Sequence, residues 1–131
     1  MSVEIKGKST GENYITNLST RGLEFIVDEP LDKGGKDTAV TPMELIGGAL
    51  SSCTIITLQM YFNHKEWAYE NIEVDVDFDY STSPVTFKRV VRVKGTFDEK
   101  QAKRINGIAN ACPVHKLLEK GHTVETVVEI L

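Results

Sequence analysis

Thr41-Pro42-Met43-Glu44-Leu45-Ile46-Gly47-Gly48-Ala49-Leu50-Ser51-Ser52-Cys53-Thr54 opens the element on which the fold turns. Thr41 is placed as a helix N-cap, its side-chain oxygen taking an orphan backbone N–H. Pro42 stands at the first helical position, and Glu44, three residues after the cap, can reach back to the cap's own N–H. Val40 and Leu45 are spaced as a hydrophobic staple across that cap. The pattern predicts a helix running to Phe62 or Asn63. Leu45, Ile46, Ala49, Leu50, Cys53, Ile55, Ile56, Leu58, Met60 and Phe62 leave it no continuous charged face, so it has to be covered on several sides. A membrane span needs about 20 predominantly apolar residues, and Ser51, Ser52, Thr54, Thr57 and Gln59 interrupt this stretch. The expectation is a buried central core helix, covered in part by a second subunit, with no membrane contact.

Around this helix the chain alternates between strand-like and helical patterns. Val3 to Lys8, Asn13 to Thr20 and Leu23 to Val27 read as short strands, broken at Gly11 and at Arg21-Gly22. Asp28 to Thr38, with Pro30, Gly34 and Gly35, reads as a surface loop with no assigned chemistry. Ile72 to Asp79 alternates apolar and acidic residues without a break, as a strand buried on one face does. Ser81 to Pro84 supplies a turn, and Thr86 to Phe97 returns as a second strand. Its Lys88, Arg89, Arg92 and Lys94 are expected to face the neighbouring acids, fixing register. Asp98 caps a further helix, with Gln101 in the capping-box position. Ala102, Ile105, Ile108, Ala109 and Cys112 share one face of it. Cys112-Pro113 breaks that helix and starts a short third one, from Pro113 to Lys120, ending at Gly121. Thr123 to Leu131 is expected to be a final strand. The order βββ-α-ββ-αα-β describes one two-layer α+β domain over residues 1–131.

With 131 residues, 40% hydrophobic and 26% charged, the chain has the size and composition of an ordinary globular domain. A net charge of −4 argues against nucleic acid or an anionic membrane as the main partner, since both call for clustered Lys and Arg. No secretory signal is read in Met1 to Lys6, so a reducing, cytoplasmic compartment is expected. Two cysteines, Cys53 and Cys112, are too few for a disulfide scaffold.

Each cysteine admits a structural and a chemical reading. Cys53, inside the most apolar helix, can be a small core hydrophobe. Cys112 immediately precedes a Pro-started helix, where the helix dipole favours a thiolate. His115, three residues on, can assist it by charge or hydrogen bond, or can simply sit exposed near the cap. Cys112 and His115 have ligand-like spacing, but a structural zinc site takes four ligands in closely spaced pairs. His64 and His122 could join only if the fold brought them near. No metal is therefore expected.

These residues together resemble a family. Pro42 to Thr54 is similar to the Pro-Glu-x-Leu…Ala-x-x-x-Cys helix of the OsmC/Ohr superfamily. Cys112-Pro113-Val114-His115-Lys116-Leu117-Leu118 resembles its second cysteine motif, and the intervening hairpin and trailing strand also correspond. The resemblance implies an intertwined homodimer, with two central helices wrapped by sheets from both subunits and active sites at the interface. It implies reduction of organic hydroperoxides, with no bound cofactor. Cys53 would attack the peroxide and become a sulfenic acid, Cys112 would close a Cys53–Cys112 disulfide, and an external dithiol would reduce it.

Members of that family hold the attacking cysteine with an Arg and with a Glu directly after the Pro of the helix start. Here Met43 occupies that place and Glu44 comes one residue later. Glu44 precedes Cys53 by nine residues, which at about 100° per residue puts the two on opposite helix faces. The capping box already gives Glu44 a structural use. The resemblance takes the Arg from the early strands, where Arg21 is the only arginine before residue 89; its other reading is a solvated turn residue. His115, the helix dipole at Cys112 or groups of a second subunit are the remaining stabilisers of a Cys53 thiolate. A thiol peroxidase is expected. The alternative is an OsmC-fold protein that is redox-responsive or binds a small ligand without efficient peroxidase activity, and Met43 speaks for it.

Overall fold

Arg21 and Gly22 both take left-handed backbone, with φ of 51° and 81°, which suits a two-residue hairpin between twisted strands. This turn joins β2 (Thr16–Thr20) to β3 (Leu23–Val27), with Thr20 opposite Leu23. On the other edge of β2 lies β1 (Lys6–Ser9), and all pairing is antiparallel. β1 and β2 are shorter than the apolar pattern predicts. Their ladder stops at Ser9 opposite Thr16, and the Thr10 hydroxyl closes the connection by donating to the Ile15 carbonyl at 2.9 Å.

The computed structural model describes residues 1–131, which divide into two units, Met1–Gly48 and Ala49–Leu131. In the first unit the loop after β3 is organised around a buried carboxylate. Asp28 is 1% exposed and accepts from the Glu29, Lys36 and Thr38 N–H groups and from the Thr38 hydroxyl, the last at 2.7 Å. Gly35 lies so close to this loop that a Cβ there would stand 2.0 Å from the Glu29 carbonyl oxygen. The segment expected as a surface loop is a loop held by hydrogen bonds to this carboxylate. The Thr38 hydroxyl bond, opposed by burial and helped by the three N–H groups, lowers the Asp28 pKa to about 2.

The unit boundary falls within α1 (Pro42–Lys65). Its start has the expected capping box: Glu44 Oε1 accepts from the Thr41 N–H at 2.8 Å, and Thr41 Oγ1 accepts from the Glu44 N–H at 3.1 Å. The helix runs past Asn63 and ends in a Schellman turn. Glu66 takes left-handed backbone, φ 57°, and the Trp67 N–H reaches the Phe62 carbonyl at 2.9 Å. By length and hydropathy α1 would pass for a membrane span. One stripe of it, Leu50, Thr54, Leu58 and Phe62, is buried at i, i+4 spacing, as in the core helix of a domain.

In the second unit β4 (Asn71–Phe78) and β5 (Phe87–Lys94) form an antiparallel hairpin. Ile72, Val74 and Val76 lie opposite Val93, Val91 and Arg89, and all six share the inner face. Leu58 and Phe62 of α1 pack on Ile72 and Val74, with Ile105 and Ile108 of α2 (Glu99–Asn110) against the same cluster. Phe62 anchors an aromatic group with Tyr69 at 5.2 Å and Phe97 at 5.6 Å between ring centres. The outer face is wet, and Arg92 bonds Asp75 there at 2.7 Å. Asp98 and Gln101 form the expected capping box at the start of α2.

Two expectations fail here. Arg89 does not face the acids with Lys88, Arg92 and Lys94, because strict alternation puts it in phase with Phe87, Val91 and Val93 on the inner face. After α3 (Pro113–Leu118) there is no final strand: residues 123–131 are irregular and exposed. A strand exists only beside a hydrogen-bonded neighbour, and in the single chain none pairs with this segment. The observed order is βββ-α-ββ-αα, with α1 open on one side, where Ile56 is 49% and Met60 68% exposed.

Candidate active site

A threonine in the buried stripe of α1 needs a partner for its hydroxyl. Thr54, fully buried, finds one in the Leu50 carbonyl at 2.7 Å. Its neighbour Cys53 points to the margin of the stripe and is partly exposed, with Thr57 Oγ1 at 4.0 Å from its sulfur.

Cys112 arrives from the other side of the unit. α2 stops at Asn110, and Cys112, before Pro113, is held in extended backbone (φ −55°, ψ 133°). That corner seals the side chain completely and sets its sulfur 3.9 Å from Thr54 Oγ1. The structure thus brings the two cysteines together, both as free thiols, close enough to interact directly.

The pair is electrically uneven. Burial, followed by the adjoining Cys112, pushes the Cys53 thiol up. Burial acts in the same direction on Cys112 but is outweighed there. The Cys53 thiol, the His115 N–H, the Thr54 hydroxyl and the Val114 N–H all favour the Cys112 anion and bring its pKa down. No hydrogen bond of full geometry joins the Cys112 sulfur to the first turn of α3, so these amides act as oriented dipoles. Of the two sulfurs, Cys112 is the one whose surroundings favour the anion.

Arg89 reaches the same spot from β5. Its Nη1 donates to Thr54 Oγ1 at 3.1 Å, and its Nη2 to Asn110 Oδ1 at 3.0 Å and to His115 Nδ1 at 2.9 Å. A guanidinium only donates, so His115 Nδ1 must accept and the ring proton lies on Nε2. Nε2 then donates to Glu119 Oε1 at 3.1 Å. His115 is in the site by hydrogen bonding, as an uncharged ring. A cleft of about 430 Å³ opens beside it, walled by Leu50, Pro84, Val85, Phe87 and Leu118, with Arg89, His115 and Glu119 at its polar end.

Arg89, Thr54 and Asn110 escaped sequence reading. The signal for Arg89 was its phase: it sits two residues before Val91, on the apolar register of the strand. Arg21 and Glu44 lie in the first unit. Arg21 is exposed at the tip of the β2–β3 turn, and the Glu44 carboxylate is engaged at the Thr41 cap. His64 is exposed near the end of α1, and His122 is exposed beyond α3, where its ring bonds the Leu117 carbonyl. No three Cys, His, Asp or Glu side chains converge as metal ligands would.

Residues 34–127 match the family model described as OsmC-like protein. Curated protein sequences offer no match. Among solved structures, an organic hydroperoxide resistance protein OsmC from Legionella pneumophila superposes with a TM-score of 0.62 at 20% identity, over 90% of this chain and 89% of that one. An OsmC-like protein from Mycoplasma pneumoniae gives a TM-score of 0.70 at 15% identity, over 91% and 88%. An organic hydroperoxide resistance protein from Elizabethkingia anophelis gives 0.63 at 18% identity, over 89% and 87%. At these identities the likeness speaks for the fold.

Proposed function

The chain belongs to the OsmC-like family, and from that premise we propose that it is a homodimeric thiol peroxidase, reducing organic hydroperoxides with an external dithiol as reductant. The observation that carries this reading is the meeting of Cys53 and Cys112, one partly exposed and one sealed, with the Thr54 hydroxyl against the sealed sulfur.

The chemistry follows from the uneven pair. Peroxide approaches Cys53, the more accessible sulfur. As Cys53 attacks the terminal oxygen, an S–O bond forms and the O–O bond breaks. The Cys53 proton passes to the Cys112 thiolate and on to the departing alkoxide, which leaves as an alcohol. Cys112, again a thiolate, attacks the Cys53 sulfenic acid, forming the S–S bond and expelling hydroxide, which takes a solvent proton to become water. The external dithiol then returns both thiols and is itself oxidised to a disulfide. In this reading the family's early-strand arginine falls to Arg21, and the second subunit covers α1 and pairs with residues 123–131.

A second reading has a specific observation behind it. Met43 stands where the family carboxylate is expected, and Glu44 is occupied at the cap. A redox-responsive or small-ligand-binding protein of the same fold would keep the thiol pair without fast turnover. Thiol titration after one equivalent of cumene hydroperoxide separates the two. The peroxidase reading expects both thiols lost within seconds, and peroxide consumption abolished in Cys53→Ser. Survival of both thiols, or unchanged consumption in that variant, would end it.

A further inference from the structure

Arg89 carries a full positive charge on the inner face of a sheet, and every partner it has is uncharged. Thr54, Asn110 and the Nδ1 atom of His115 accept from it, and no carboxylate lies within ion-pair distance. A partly buried guanidinium with only neutral acceptors lacks a counter-ion. Cys112 is a group able to become an anion, and its sulfur lies 3.9 Å from the Thr54 hydroxyl that Arg89 holds.

The Thr54 hydroxyl has one proton. While it donates to Leu50, its oxygen accepts from Arg89. With Cys112 ionised, the same proton can turn to the sulfur while Arg89 keeps its bond to the oxygen. Charge on Cys112 is then answered through one atom by a fixed cation.

We propose that Arg89, acting through Thr54, is the positioning residue that makes Cys112 the leaving thiolate when the Cys53–Cys112 disulfide is reduced. One thiolate of the external dithiol attacks the Cys53 sulfur. The S–S bond breaks, its electron pair stays on Cys112, and a mixed disulfide forms on Cys53. The reductant's second thiol attacks its own sulfur in that mixed disulfide and releases Cys53, which takes up a proton, while the reductant leaves as a cyclic disulfide. Exposure agrees, since Cys53 is reachable and Cys112 is sealed. A sulfur whose anion is stabilised departs faster.

The inference rests on the redox pair of the proposed function but not on peroxide as the oxidant, so the disulfide is made with diamide. The other ionisable groups around Cys112 are Cys53 from α1 and His115, with Glu119 beyond it, from α3; α2 contributes the uncharged Asn110. The oxidised protein is treated with 2-mercaptoethanol, trapped with acid, and the adduct mapped by mass. The adduct is expected on Cys53, and its formation is expected to be about threefold slower in Arg89→Gln, with Arg89→Lys restoring most of the rate. In a Cys53→Ser background, Arg89→Gln should move the Cys112 titration, read by thiolate absorbance, up by about one pH unit. An adduct on Cys112, or an unmoved titration and rate in Arg89→Gln, overturns the proposal, as does failure of diamide to form the disulfide. If Arg89→Gln does not fold, the adduct position in the unmutated protein and the rate in Arg89→Lys decide it. A disulfide formed by diamide and not by cumene hydroperoxide would end the peroxidase reading alone.

Discussion

Arg89 Nη1 donates to Thr54 Oγ1 at 3.1 Å, and the same hydroxyl donates to the Leu50 carbonyl at 2.7 Å. One side-chain oxygen thereby ties β5 to the middle of α1. Valine has nearly the shape of threonine but neither donates nor accepts. Thr54→Val should leave Nη1 without a partner and lower stability by about 1–2 kcal/mol, while Thr54→Ser should recover most of the loss. Urea unfolding is the measurement, with the midpoint falling at an unchanged slope.

Asp28 predicts an acid limit for the first unit. Its folded pKa, about 2, lies below the unfolded value of about 3.9. The sign follows: this carboxylate stabilises the fold above about pH 4, and its contribution fades as pH falls toward 2. Asp28→Asn keeps the volume but cannot accept at both atoms from the four donors around it. The variant should unfold more easily than the parent at pH 7, and the gap should narrow between pH 4 and pH 2. Thermal midpoints recorded across that range, with a constant gap as the contrary result, decide it.

Local signals with their partners close in the chain were legible in the sequence. Both capping boxes, the β2–β3 turn and the break at Cys112-Pro113 depend on residues a few positions apart, and each is found. Features whose partners are remote were not. Residues 123–131 have the apolar content of a strand, but a pattern does not supply the neighbouring strand. The Asp28 loop looked featureless because its donors sit eight and ten residues on. Arg89 is the instructive miss. Grouping it by charge with Lys88 and Arg92 sent it to solvent, whereas its phase with Val91 sends it inward. The meeting of Cys53 with Cys112 was reached through family resemblance, since spacing alone leaves two thiols 59 residues apart unrelated.

The two thiols should differ in how they label. Burial and the neighbouring Cys112 raise the Cys53 pKa, so its alkylation by iodoacetamide should keep climbing beyond the pH where an ordinary thiol, with a pKa of about 8.5, levels off. Cys112 ionises more readily but is fully sealed, and access limits it. Mass-resolved labelling of the folded protein should find Cys53 modified first at every pH. Unfolding in urea should make the two rates equal. Faster labelling of Cys112 in the folded protein would place its sulfur nearer solvent than the structure does.

Ile56 and Met60 stand 49% and 68% exposed on a helix whose opposite stripe is fully buried. An apolar helix open on one side is poorly suited to stand alone in water, and the proposed homodimer would cover it. Light scattering should then give about twice the chain's 14.6 kDa. Met60→Glu would bring a carboxylate into that contact, at a cost of about 2 kcal/mol or more per buried charge. The dimer should dissociate at micromolar concentration while the far-UV spectrum stays that of the parent. Met60→Leu, similar in volume and apolar, should leave the mass unchanged. A monomeric parent, or a Met60→Glu variant that keeps the doubled mass, would show that the open face of α1 is not where two copies meet.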